Sequence, residues 1–171
     1  MTRVHDLDVD VVVRVQGLLS GSGVLRGARI LSRVGEHAAG WTALGLVGAA
    51  LDRSRRRDWL RATGAVVAAH GVSVVLKRLV RRHRPSDPRI HVLDTTPSDW
   101  SFPSSHAAST TAAAVAYSRL LGHRWPLTVV PAMMASRVAL GVHYPGDVAA
   151  GGVIGVVIGR WLAPARVDPL P

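Results

Sequence analysis

Three short islands in this chain carry residue types that could hold and transfer a phosphoryl group. The first runs from Lys77 to Pro85, with Lys77, Arg81 and Arg84 at i, i+4 and i+7. If the preceding helix continues, that spacing puts the three cations on one face, and Pro85 then stops the helix. Arg81 is then a further candidate contact for a second anionic group on a substrate. The plainer reading is a basic collar that snorkels at a membrane boundary; it suits Arg78 and Arg82 better than it suits Pro85. The second island is Pro103-Ser104-Ser105-His106, ahead of an Ala-rich run. It reads as a helix start, with a serine cap, free backbone N–H groups that suit phosphate, and His106 in the first turn. Ordinary capping would need no histidine there. The third island is Ser136-Arg137, followed by His143 and Asp147 around a Pro145-Gly146 turn. A carboxylate can keep one imidazole nitrogen protonated and leave the other free to attack, and Arg137 can fork onto phosphate oxygens. A His/Asp pair at this spacing also arises by chance and in metal sites. One His and one Asp with no third ligand nearby argue against a metal.

The elements that must position these islands are apolar runs. The chain has 171 residues, a length for one compact domain, and is 48% hydrophobic while carrying a formal charge of +10. Its arginines cluster, from Arg53 to Arg57 and from Arg81 to Arg84, between stretches of Ala, Val, Gly and Leu. That pattern fits a small polytopic membrane protein whose basic loops face headgroups or an anionic substrate. Without cysteine there is neither a disulfide nor a thiolate metal site. Met1 to Asp10 has no cleavable apolar core, so no signal peptide is read there.

Residues 1–35 read as amphipathic helices that lie in the interface or pack on the bundle, broken at Gly21-Ser22-Gly23; a degenerate first span is the alternative. Residues 36–165 form the transmembrane core, and 166–171 a C-terminal tail. Five runs fill the core: Glu36 to Leu51, Trp59 to Val80, Ser104 to Leu121, Trp125 to Val142 and Gly146 to Ala163. Pro85 to Pro103 is a polar connection that cannot span. His70, inside the second run, reads as a buried histidine bonded to a neighbouring helix. Gly151, Gly155 and Gly159 form a stripe that lets a neighbouring helix approach closely. Trp59, Trp125 and Trp161 stand at run ends, where interfacial tryptophans belong. The expected fold is therefore all-α, a polytopic transmembrane bundle of about five spans plus the N-terminal helices.

Taken together, Lys-x6-Arg-Pro, Pro-Ser-Ser-His and Ser-Arg-x5-His-x3-Asp, in that order over residues 77 to 147, resemble the signature of the type-2 phosphatidic acid phosphatase family. The family usually has glycine where this chain has Ser105; serine keeps the backbone N–H. The resemblance implies a metal-independent phosphatase, without cofactor, that works through a phosphohistidine. His143 would be the nucleophile, Asp147 its orienting partner, and His106 the acid for the leaving oxygen and later the base for water. Lys77, Arg84, Ser104, Ser105 and Arg137 would hold the phosphoryl oxygens. The partners implied are a lipid phosphate and the bilayer, not nucleic acid.

The chain is similar to the compact bacterial members of that family. Their candidate substrates are phosphatidylglycerophosphate, phosphatidic acid, polyprenyl diphosphate and polyprenyl-linked phosphosugars. The Arg- and Ala-rich composition suggests a high-GC bacterium such as an actinobacterium. Among small actinobacterial members, one activity is removal of the 5-phosphate from decaprenylphosphoryl-phosphoribose, in cell-wall arabinan supply; it is the leading expectation. Soluble acid phosphatases and vanadate-dependent haloperoxidases share the signature, but the apolar runs count against them. A scaffold or transporter leaves the motif set unexplained. Five spans would put the islands at one face and Arg53, Arg55, Arg56, Arg57, Arg61, Arg119, Arg124, Arg160 and Arg166 at the other. By the positive-inside rule the second face is cytoplasmic, the site opens outside, and Pro171 lies inside the cell. Arg26, Arg29 and Arg33 fall on the site face, where flat-lying helices can set them against headgroups.

Overall fold

The structure, a computed structural model, describes residues 3–163; Arg166, Pro171 and the expected tail lie outside them. The described residues form seven α-helices and no strand: α1 (Arg3–Leu18), α2 (Ser22–Gly35), α3 (Ala39–Leu51), α4 (Arg56–Val80), α5 (Ser105–Leu121), α6 (Val129–Ala139) and α7 (Pro145–Leu162).

α5 is the central helix. Its Ala, Ser and Thr side chains bring neighbours close, and Ala107, Ala108, Ala112, Ala113 and Ala116 are buried. α7 lies along it through the glycine stripe. A Cβ at Gly151, Gly155 or Gly159 would strike the carbonyl oxygens of Ser104, Ala108 and Ala112, so the two backbones touch at three successive turns. α4 packs on the other side, where Trp59 and Tyr117 meet with ring centroids 5.7 Å apart. The Tyr117 hydroxyl donates to the Trp41 carbonyl at 2.6 Å, and the Trp41 indole donates to Thr110 Oγ1 at 2.9 Å, which ties α3 to α5. Leu44, Val47, Leu60, Val67, Val75, Val153 and Val157 of α3, α4 and α7 point outward. A bundle with that much outward aliphatic surface is suited to lipid.

The helices depart from the expected runs in four places. The first run begins as a 3-10 turn, Glu36–Ala38, with His37 and Ala38 both at positive φ, before α3 starts. The fourth run is a 3-10 turn at Trp125–Thr128 followed by α6, which ends at Ala139 because Gly141 turns the chain at φ 70°. α4 stops at Val80: Arg81 takes a left-handed conformation, φ 52°, and caps the helix. Finally, His70 is half-buried with its Nδ1 unpartnered among the described residues, 6.2 Å from the His37 ring, rather than bonded to a neighbour.

Length also bears on the count of spans. A bilayer core of ~30 Å needs about 20 helical residues. Only Arg53–Val80 is long and apolar enough by that measure among the described residues. α3 and α6, with 13 and 11 residues, are too short to cross alone.

α1 and α2 pack on the bundle. Val9 and Val12 are buried beside Val138, Tyr144 and Val148, and Ala28 of α2 meets Leu140 and Val142. The two helices also fasten the long connection between α4 and α5. Gln16 Nε2 donates to the carbonyls of His91 at 2.6 Å and Ala139 at 3.1 Å, and its Oε1 accepts the His91 N–H at 3.0 Å.

Candidate active site

The N-terminal ends of α5 and α7, the α6–α7 connection and the end of α4 meet at one end of the bundle. The join is made by backbone: the Ser104 N–H donates to the Asp147 carbonyl at 3.0 Å, which couples the second island to the third. Ser104 caps α5, its Oγ accepting from the Ala107 N–H at 3.4 Å. Ser105 Oγ is buried without a hydrogen-bond partner among the described residues.

His143 is fully enclosed, 2% exposed, in the connection after α6. Its Nε2 lies 3.3 Å from Arg84 Nη1, and its Nδ1 lies 3.6 Å from Asp147 Oδ2. A guanidinium can only donate. Nε2 therefore presents its lone pair, and the ring proton sits on Nδ1, toward Asp147. The 3.6 Å separation is longer than an N–H···O bond of about 2.9 Å; such contacts tighten when substrate binds. Burial, then Arg84, Lys77 and Arg137, hold the His143 pKa well below its ordinary value, so the ring is neutral.

Asp147 is pinned by two other donors. Its Oδ2 accepts the Tyr144 N–H at 2.8 Å, as the third residue of a capping box on α7, and its Oδ1 accepts from Arg82 Nη1 at 2.9 Å. Arg82 also reaches Asp8 of α1 at 2.7 Å and lies over the Tyr144 ring at 4.3 Å.

The cations converge from three segments. Lys77 Nζ donates to the carbonyls of Trp100 and Ser101 at 3.0 and 3.1 Å. Arg84 is held by the carbonyls of Ser98 at 2.8 Å and Val142 at 2.6 Å. Burial, with Arg137 adding to it, lowers the Arg84 pKa to about 10, which still leaves it charged at neutral pH. Arg137 is 1% exposed; its Nη1 donates to Ser32 Oγ and lies 3.4 Å from Asp94 Oδ2, while its Nε has no partner among the described residues. A guanidinium N–H and a serine hydroxyl, both unpartnered among the described residues, and the α5 N-terminus suit a tetrahedral oxyanion.

His106 faces the pocket from α5. Its Nε2 is 3.0 Å from the Ser32 carbonyl, and a carbonyl only accepts, so here the proton is on Nε2. Ser32 Oγ also donates to Asp94 Oδ2 at 2.7 Å.

Eight of the expected site residues thus meet: Lys77, Arg84, Ser104, Ser105, His106, Arg137, His143 and Asp147. Arg81 does not join them through a shared helical face. It follows the end of α4, is exposed, and donates Nε to the Arg78 carbonyl at 3.0 Å. Arg84 comes into place through the connection rather than along the helix. Sequence reasoning also missed Arg82, Asp8, Ser32 and Asp94. Arg82 stood in the basic cluster but was assigned to headgroups; Asp8, Ser32 and Asp94 carry no spacing signal.

An apolar groove of about 330 Å³ runs between α1, α6 and α7, lined by Val11, Val15, Leu18, Met134, Pro145 and Val148 among others; none of the candidate site residues lines it.

Residues 58–168 match the model of the PAP2 superfamily. The chain is similar to a decaprenylphosphoryl-5-phosphoribose phosphatase of Mycobacterium tuberculosis, 50% identical over 153 residues, which cover 89% of this chain and 86% of that one. The enzyme of the same description from Mycolicibacterium smegmatis is 53% identical over 142 residues, 82% of this chain and 79% of that one. A lipid A 4'-phosphatase of Bacteroides thetaiotaomicron is 36% identical over 99 residues, 51% of this chain and 43% of that one. In fold, the chain resembles the transmembrane PAP2-type phosphatidylglycerolphosphate phosphatase of Bacillus subtilis. The TM-score is 0.80 at 19% identity, over 95% of this chain and 85% of that one.

Proposed function

The chain belongs to the PAP2 superfamily and is a phosphatase, and on that premise we propose that it removes the 5-phosphate of decaprenylphosphoryl-5-phosphoribose in the cell membrane. The observation that carries the substrate is the 50% identity over 89% of the chain to a relative described by that activity. The apolar groove between α1, α6 and α7, lined by Pro145 and Val148 at the start of α7, is where we place the polyprenyl chain.

The chemistry follows from the two histidines. The His143 Nε2 lone pair attacks phosphorus in line with the ester oxygen. The P–O bond to the ribose breaks as the N–P bond forms, and His106 gives its Nε2 proton to the departing oxygen. Asp147 stabilises the positive charge on the phosphorylated ring through Nδ1–H. Water then attacks phosphorus, His106 takes its proton, and phosphate leaves with His143 restored. Lys77, Arg84, Arg137, Ser104 and the Ser105 N–H hold the three phosphoryl oxygens throughout. No metal or cofactor takes part in this account; fixed cations neutralise the developing charge. The leaving oxygen takes the place that the Ser32 carbonyl occupies against His106.

Five spans from α3 to α7 are the proposed crossing; α3 and α6, short by themselves, are extended by the turns Glu36–Ala38 and Trp125–Thr128 and need a locally thinned bilayer. The site opens at the extracytoplasmic face, and the product feeds cell-wall synthesis. Phosphate release by the purified protein decides among substrates. Decaprenylphosphoryl-5-phosphoribose should turn over at least tenfold faster, in kcat/KM, than phosphatidylglycerophosphate, phosphatidic acid or a polyprenyl diphosphate. Faster release from any of the other three would reassign the substrate.

A further inference from the structure

α1 lies before residues 58–168, the segment that matches the superfamily model, yet one of its side chains is tied to the candidate site. His5, Asp8 and Val12 stand at i, i+3 and i+7, on one face of the helix. Val12 is buried in a cluster with Val138, Tyr144 and Val148, and the His5 ring meets the Tyr144 ring edge-on with centroids 5.6 Å apart. That face is therefore packed on the bundle on both sides of Asp8. Asp8 Oδ2 accepts from Arg82 Nη2 at 2.7 Å.

Arg82 is a fork with both tines in use. Its Nη1 donates to Asp147 Oδ1 at 2.9 Å, and its guanidinium carbon lies 4.3 Å from the centre of the Tyr144 ring. Asp147 Oδ2 in turn faces His143 Nδ1 at 3.6 Å. Asp8, Arg82, Asp147 and His143 thus stand in a row. An arginine side chain has many rotamers, and a guanidinium held at one end only can pivot about that bond. Asp8 supplies the second hold. It also shares the positive charge of Arg82, which leaves Asp147 more of its negative charge for the imidazole.

A second ion pair of α1 shows the difference between docking and positioning. Asp10 meets Arg89 at 3.0 Å, but the two side chains are 49% and 54% exposed, and Arg89 continues only to Asp87. Exposed pairs of that kind contribute little. Asp8 and Arg82 are 16% and 29% exposed, and their row leads to Asp147, which is 0% exposed.

We infer that Asp8 is a positioning residue for phosphoryl transfer, given the roles proposed for His143 and Asp147: it holds the Arg82 fork against Asp147 and so helps to orient His143. α1 then belongs to the working site as well as to the packing of the bundle.

The test measures phosphate release by the purified full chain, with whichever of the four candidate lipid phosphates the wild type turns over fastest. Asp8→Ala should lower kcat at least about fivefold with KM within about twofold of wild type. Asp10→Ala, which loosens α1 without touching Arg82, should leave kcat unchanged. Asp8→Ala/Arg82→Gln should be no slower than Arg82→Gln alone, since both changes break one row. A wild-type kcat in Asp8→Ala would overturn the inference. An equal loss in Asp10→Ala would also overturn it and assign the effect to undocking of α1. Losses that multiply in the double variant would show that Asp8 acts by a route other than Arg82, which again contradicts it. If Asp8→Ala does not fold, Asp8→Asn, which keeps the shape and loses the charge, should lower kcat about threefold, and no loss would overturn the inference. Asp147→Asn separates the two levels. If it is slow while Asp8→Ala is not, only the role of Asp8 fails; if Asp147→Asn is itself at the wild-type rate, the proposed mechanism fails.

Discussion

His143 shows how little a residue's type says until its neighbours are known. The sequence supplies a histidine four positions from an aspartate, and the nucleophile role proposed for it rests on which nitrogen meets which group. Arg84 on Nε2 and Asp147 on the Nδ1 side assign the tautomer. His143→Ala and His106→Ala should each abolish phosphate release without loss of helical circular dichroism. Asp147→Asn should lower kcat by about 10³ to 10⁴, by analogy with the orienting carboxylate of hydrolase triads. Arg82 is a positioning residue: Arg82→Gln frees Asp147 Oδ1 and should cut kcat at least ~10-fold with KM little changed. A KM change alone would make Arg82 a substrate contact. Stability should depend on pH at His143 as well. Its folded pKa is depressed below the ordinary 6.5, so the unfolded chain binds a proton there that the folded chain refuses. Stability is therefore full above that value and falls as pH drops through it, by up to about 1.4 kcal/mol per unit for one proton. His143→Gln should show a shallower loss between pH 7 and 5 in thermal unfolding, and an unchanged slope would place the missing proton elsewhere. The motif residues were legible because each combines an uncommon type with fixed spacing. Arg82 was not, because its partners Asp147 and Asp8 lie 65 and 74 positions away.

At the scale of elements, periodicity reported what local chain geometry controls and was silent on the connection. The α7 glycine stripe was readable because three glycines at fourfold spacing have one packing use, and α5 takes it. Gly155→Val forces a side chain against the Ala108 carbonyl and should destabilise the protein by about 1–3 kcal/mol or more, seen as a lower Tm. A Tm unchanged by Gly155→Val would mean that the two helices are farther apart than described. The end of α4 was misread, since a run of arginines with good helix propensity gave no sign that Arg81 would turn left-handed. The path of residues 82–104 depends on tertiary bonds from Gln16, Arg29 and Leu140, which no local pattern encodes. Through that path Asp94 reaches Arg137 and Ser32. Asp94→Asn should weaken the hold on Arg137 and slow phosphate release while leaving the fold intact; full activity would make the pairing incidental.

The whole molecule is a cation-rich bundle with the candidate site at one end and basic residues at both. Arg55 donates to the Leu120 carbonyl at 3.2 Å, so the Arg53–Arg57 cluster and the C-terminal end of α5 share the end opposite the site. That clustering supports a cytoplasmic assignment for that end, and a reporter fused at the C-terminus should be active only as a cytoplasmic marker. Fold class was legible from apolar runs alone, whereas the number of spans was not, because α3 and α6 are shorter than the bilayer core. Turnover should persist in excess EDTA and be blocked by vanadate, since the charge-neutralising groups belong to the protein. The most direct test of the mechanism is mapping of the alkali-stable, acid-labile N–P bond after rapid alkaline quench of the purified, reconstituted enzyme with phosphate-labelled substrate. The account predicts label on one residue, His143, attached at Nε2, with none in His143→Ala. Label on Nδ1 or on another residue, or full turnover with no covalent intermediate, would contradict it.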